Sequence, residues 1–140
     1  MTPKISDEEK KEFLKNLVSI YSPTGEETEV SNFLVNKFQD YGIDSYIDEV
    51  GNVIAKQNGK GPKILLAGHM DTVTGEIPIR VEEDDLWGRG SVDAKGSLAT
   101  FFFTLIESNA NLMFASLVEE EGPSKGAKNL DLEKPDYIIN

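Results

Sequence analysis

The chain has 140 residues, no cysteine, one histidine and a formal net charge of −11 from 14 basic and 25 acidic side chains. The length suits one domain around a single core, and 39% hydrophobic with 9% aromatic content places it with globular chains. The acidic excess argues against a nucleic-acid partner, since binding a phosphate backbone draws on Lys and Arg clusters missing here, and without cysteine any metal must be held by histidine and carboxylates.

The first ten residues are polar and charged where a secretory signal would be apolar. The apolar runs at 64–67, 101–106 and 112–118 are too short to span a bilayer. A soluble, cytoplasmic protein with no membrane partner is the expectation. Ser6 and Glu9 form a capping-box pattern ahead of Phe13, Leu14, Leu17, Val18 and Tyr21, which predicts a helix over 7–21. After the break at Ser22-Pro-Thr-Gly25, the stripe Val30, Phe33, Leu34, Phe38 and Tyr41 predicts a second helix, closed by a left-handed Gly42. Residues 43–48 and 52–56 read as a hairpin. Residues 63–69 form an unbroken apolar run, as expected of a strand covered on both faces. Strands are expected at 77–81 and 85–87, a buried helix at 94–107, a strand at 112–118, a helix start at 126–130 and a strand at 137–139. Helices mixed with buried strands predict a three-layer α/β/α arrangement on a mixed sheet.

Three segments place acidic or imidazole groups at the ends of these elements: Gly68-His-Met-Asp-Thr-Val73, Gly88-Arg-Gly-Ser-Val-Asp-Ala-Lys-Gly96 and Val118-Glu-Glu-Glu-Gly122. In α/β sheets ligands gather beyond the carboxyl ends of strands. His69 and Asp71 are two apart, so in extended backbone they share a face and Asp71 can accept one imidazole N–H. Taken alone, the pair reads more readily as a hydrogen-bonded closure of a strand. Asp93 precedes a helix, where its carboxylate can simply cap free N–H groups. Glu119, Glu120 and Glu121 can form a solvated acidic turn, or, because adjacent carboxylates repel, a cation site. A dinucleotide loop fails because Asp93 occupies its last glycine position, and no Gly-Lys-Ser/Thr triplet supports a P-loop. One His, one Asp and an acidic cluster together are oxygen and nitrogen ligands suited to zinc or a similar divalent ion.

In this order the three segments resemble the zinc-dependent aminoacylase and carboxypeptidase family that includes acetylornithine deacetylase and succinyl-diaminopimelate desuccinylase. The stretch Glu-Glu-Glu-Gly-Pro-Ser-Lys-Gly-Ala resembles most its acetyl-lysine deacetylase type, which releases lysine or ornithine, often from an amino-group carrier protein. The resemblance implies a fold of zinc-peptidase type, of which residues 1–140 are the N-terminal part of the catalytic domain, truncated and without the lid or dimerisation domain. It implies a metal-dependent hydrolase of an N-acyl bond in lysine or arginine biosynthesis, acting on a small N-acyl amino acid or a carrier-linked one. His69 would bind one metal, Asp93 would bridge two, and Glu121 would bind the second. Glu120 would be the general base and Asp71 would orient His69. Counting back from Gly126-Ala127 selects Glu120 over Glu119 for that role. The cofactors would be two Zn2+ or Co2+ ions. An acidic ligand and a histidine are expected past Asn140, so the chain alone should bind metal weakly or partially and have little activity. A non-catalytic binding or assembly module is the alternative, and self-association through exposed apolar surface is a further expectation.

Overall fold

The computed structural model describes residues 2–140. Helix α1 spans Asp7–Ser19, and its start obeys the capping-box pattern: the Ser6 side chain accepts from the Glu9 N–H while Glu9 reaches back to the Ser6 N–H. It stops short of Tyr21 because Ile20 already has extended backbone ahead of Pro23. Helix α2 (Thr28–Asp40) buries Val30, Leu34 and Phe38, and Gly42 comes after it with a φ of 71°. Strands β1 (Asp44–Ile47) and β2 (Val53–Gln57) form the expected antiparallel hairpin. Strand β3 (Lys60–His69) is succeeded by the short pair β4 (Arg80–Glu82) and β5 (Asp85–Trp87). The expected strand at 77–81 is thus reduced to its last residues, with 77–79 outside any ladder. Helix α3 (Lys95–Glu107), strand β6 (Ala110–Leu117), the single turn α4 (Lys125–Lys128) and strand β7 (Tyr137–Ile139) complete the chain.

Five strands form a mixed sheet in the order β1-β2-β6-β3-β7, with β3 parallel to both β6 and β7. Alternation along the strands divides the core. Val53, Ala55, Leu66, Leu112 and Phe114 face α1, α2 and α3, where the fully buried Phe102 stacks on Phe13 at 4.3 Å and lies 4.2 Å from Phe38. Ile54, Leu65, Met113 and Ala115 face the other way, against a thinner layer supplied by Leu130 and Leu132 after α4. Leu65 and Leu66 are both buried, so β3 is covered on its two faces as its apolar run implies.

Helix α1 is also tied to the far end of α3. Glu107 pairs with the Lys10 ammonium at 2.9 Å and accepts the Ile5 N–H at 3.1 Å. The Lys10 hydrogen bond, then the Ile5 N–H, hold its carboxyl below the usual glutamate range. A carboxyl depressed in the folded state adds stability above its unfolded pKa, and that stability is lost as pH falls through the folded value. Glu107→Gln is therefore expected to cost about 0.5 kcal/mol near neutral pH, since the pair is partly solvated. In urea unfolding, the gap to wild type should close below pH 4, the ordinary glutamate pKa being about 4.3; a gap constant from pH 3 to 7 would refute the ion pair as its source.

Candidate metal centre

The parallel register of β3 and β6 sets His69 opposite Leu117, so the segments leaving the two strands emerge side by side at the same end of the sheet. His69 to Asp71 leave β3 there, and Val118 to Glu121 leave β6. The turn into helix α3 brings Asp93 to the same place because the helix packs close against β3. A Cβ on Gly68 would lie 2.9 Å from the Leu98 side chain, so glycine is what lets the helix approach.

The His69 ring is buried. Its Nε2 lies 2.9 Å from Asp93 Oδ1 and 3.6 Å from Glu120 Oε2, and its Nδ1 lies 2.9 Å from the Asp71 carbonyl and 3.3 Å from the Asp71 carboxylate. Ligand atoms of His69, Glu120 and Glu121 fall within 4.8 Å of one another, a group able to hold a metal ion. Asp93 and Glu120 are exposed and Glu121 is partly so. Asp93 leaves the start of α3 without a side-chain cap and faces His69 instead.

Asp71 is fully buried and its carboxylate holds a turn together. Oδ1 accepts the Glu120 N–H at 3.0 Å, and Oδ2 accepts the Glu121 N–H at 3.0 Å and the Thr24 hydroxyl at 2.7 Å. The Asp71 carboxylate stands beside the imidazole, and its backbone carbonyl is the nearer acceptor.

The cluster gathers carboxylates around a single imidazole. His69 is pushed up to about 9, first by the Asp71 carboxylate and further by the Asp71 carbonyl, Asp93 and Glu120, with burial opposing. Glu121 is raised by its own burial and then by the Asp93 and Glu120 charges. Burial works against ionising Asp71, yet His69, Thr24 and the two N–H groups together hold its carboxyl below the usual range. One imidazole nitrogen amid converging carboxylates is a donor set of the kind zinc takes, so these residues fit a divalent ion.

Glu119 stands apart from the cluster. Its φ is 58°, and it lines a separate cavity of about 180 Å³ with Glu27, Ser31 and Lys125. Glu120 and Glu121 face His69, and Glu119, the residue that counting back from Gly126-Ala127 passed over, does not. Several supporting groups were not singled out from the sequence. Thr24 and Glu27 fell within and beside what reads as a simple helix break. Asn52 accepts the Val118 N–H at 3.0 Å and donates to Asp48 and Gly126. Lys95 is fully buried, donates to the Ile20 carbonyl, and is lowered to about 8 by burial, with Glu29 opposing.

Comparison with known proteins yields a consistent set. The sequence profile of peptidase family M20/M25/M40 matches residues 65–140. A Pyrococcus furiosus protein, provisionally named a LysW-lysine/LysW-ornithine hydrolase, is 69% identical over 96% of this chain and 41% of its own length. The LysW-lysine hydrolase of Deinococcus radiodurans is 41% identical over 99% of this chain and 41% of its own. Among solved structures, a Staphylococcus aureus tripeptidase superposes with a TM-score of 0.78 at 28% identity, over 97% of this chain and 43% of that one. The chain spans about two-fifths of the length of the curated relatives it matches. Among the described residues, no helix is long and apolar enough to cross a membrane.

Proposed function

This chain belongs to peptidase family M20/M25/M40, and on that premise we propose that residues 1–140 are the N-terminal part of the catalytic domain of a metal-dependent amide hydrolase. The bond cleaved joins an acyl group to lysine or ornithine, and the substrate is the amino acid carried on LysW or a small N-acyl analogue of it. What supports the substrate is the names of the relatives, among them the provisionally named LysW-lysine/LysW-ornithine hydrolase at 69% identity and the LysW-lysine hydrolase at 41%. The observation that carries the chemistry is the convergence of His69, Asp93, Glu120 and Glu121 at one end of the sheet.

In this reading His69, Asp93 and Glu121 hold zinc or cobalt, two ions in the complete site, with the remaining ligands outside residues 1–140. A divalent ion supplies Lewis acidity there, polarising the scissile carbonyl and lowering the pKa of water. Asp71 sets the His69 tautomer. With Nδ1–H directed at the Asp71 carbonyl, Nε2 is the ring nitrogen that faces the carboxylates, and it would hold the ion on giving up its proton. Glu120, exposed and beside His69, takes a proton from the attacking water and returns it to the amine nitrogen as the C–N bond breaks, and the acid so formed gives its remaining proton to the amine, so the products are a carboxylate and an ammonium group.

Cobalt titration monitored by visible absorption tests the site. His69→Ala and Glu121→Ala are each expected to weaken Co2+ binding at least about tenfold, because each removes a donor outright. Unchanged affinity in His69→Ala would remove the metal centre from this end of the sheet. Release of lysine from LysW-linked lysine, but not from a substrate lacking the amide, tests the reaction.

A further inference from the structure

The turn that carries Glu120 and Glu121 has three consecutive backbone N–H groups, and all three are taken by carboxylates. Asp71 takes those of Glu120 and Glu121. The Glu119 N–H goes elsewhere, to Glu27 Oε1 at 2.9 Å. Glu27 stands at the start of α2, 92 residues away in the chain, and is only 5% exposed. The same oxygen accepts the Gly25 N–H at 3.1 Å, and a carboxylate at a helix N-terminus is favoured by the helix dipole.

The Glu119 backbone has a φ of 58°, in the left-handed region that a residue with a Cβ seldom occupies. That conformation reverses the chain immediately before Glu120 and aims the next two side chains back at His69. A residue holding it needs a partner that over-determines it, and a buried charged acceptor on its N–H is one. The segment that bears Glu27 is itself fastened to the other half of the site. Ser22 accepts the Thr72 N–H at 2.9 Å and donates its hydroxyl to the Met70 carbonyl at 2.7 Å, and Thr24 donates to Asp71. The connection between α1 and α2 thus touches both segments that leave the sheet.

We propose that Glu27 is a positioning residue of the metal centre, holding the Glu119 N–H so that Glu120 and Glu121 face His69. The inference rests on the reading of Glu120 and Glu121 as base and ligand, and it adds a residue that contacts neither metal nor substrate. It acts through the backbone of the turn, so its loss should loosen the turn selectively and weaken metal binding without emptying the site.

The test uses the whole protein, metal-free and with Co2+, as wild type, Glu27→Ala, Glu27→Gln and His69→Ala. Amide hydrogen exchange is measured at Glu119–Glu121 and at Phe114 in β6 as an internal reference. In Glu27→Ala the turn amides should exchange about tenfold faster than in wild type with Phe114 unchanged, and Co2+ affinity should fall by about 10- to 100-fold, the range for residues that orient a ligand. Glu27→Gln keeps an acceptor oxygen without the charge, so both effects should be in the same direction but smaller, about threefold. Faster exchange everywhere, or a loosened turn with wild-type Co2+ affinity, would mean that Glu27 serves only stability and would overturn the proposal. If Glu27→Ala fails to fold, wild-type exchange and affinity in Glu27→Gln overturn it instead. Equal Co2+ binding by wild type and His69→Ala would remove the metal reading, while the exchange data still decide whether Glu27 holds the turn.

Discussion

Asp71→Ala is expected to destabilise the protein by about 3 kcal/mol in urea unfolding, the scale for removing one member of a buried charged network. The size reflects what the carboxylate does. It is fully buried, and it accepts two N–H groups of the 119–121 turn and the Thr24 hydroxyl while standing 3.3 Å from the His69 ring. Alanine leaves those part-buried donors without their acceptor. Asp71→Asn keeps one oxygen acceptor and should cost less. The pH dependence has a defined sign. Because the folded carboxyl lies below the usual range, its stabilisation is present above the unfolded pKa and lost as pH falls through the folded value. Wild type and Asp71→Ala should therefore converge on acidification. Equal stability of the two at pH 7 would contradict the network.

Glu120→Gln is expected to do the reverse, leaving stability within about 0.5 kcal/mol of wild type, as for most surface substitutions, while lowering hydrolysis by about 10²- to 10⁴-fold, the range for a lost general base. Glu120 is exposed, and its own side chain supports no backbone group; only its N–H is held, by Asp71, and that bond survives the change. The measurement is lysine release by residues 1–140 joined to the C-terminal remainder of the Pyrococcus furiosus relative. Co2+ affinity should change far less than kcat. A Glu120→Gln chimera with wild-type kcat would pass the role of base to another group. One with unchanged kcat per bound metal but much weaker Co2+ binding would make Glu120 a ligand, as its place within 4.8 Å of His69 and Glu121 allows.

Much of the fold was legible because it is local or periodic. The stripe Val30, Leu34, Phe38 and the capping pair Ser6 and Glu9 depend on residues three or four apart, and the structure has both. The strand at 137–139 and the hairpin of β1 and β2 were readable from short apolar runs bounded by turn residues. The expected strand at 77–81 shrank because only Arg80 to Glu82 find ladder partners, and pairing is not a property of the segment alone. At the site, the three motifs named the residues that meet, since each ends an element and the elements share one end of the sheet. What holds them was not legible. Glu27 and Thr24 act on groups 92 and 47 residues away, and no periodicity within Ser22-Pro-Thr-Gly25 carries information over such distances. The helix break looked like a turn because locally it is one.

The parallel pairing of β3 with β6 has a consequence for how the protein acquires its site. His69 and Glu120 are separated by the whole of β4, β5, α3 and β6, so nothing brings them together in the unfolded chain except closure of that long loop. Non-local parallel pairing is slow to form compared with helices and hairpins. The His69–Glu120–Glu121 part of the site therefore forms with the pairing of β3 and β6 and not before it. For a newly made chain, capture of a divalent ion is a timestamp, recording the moment at which β6 has found its place beside β3.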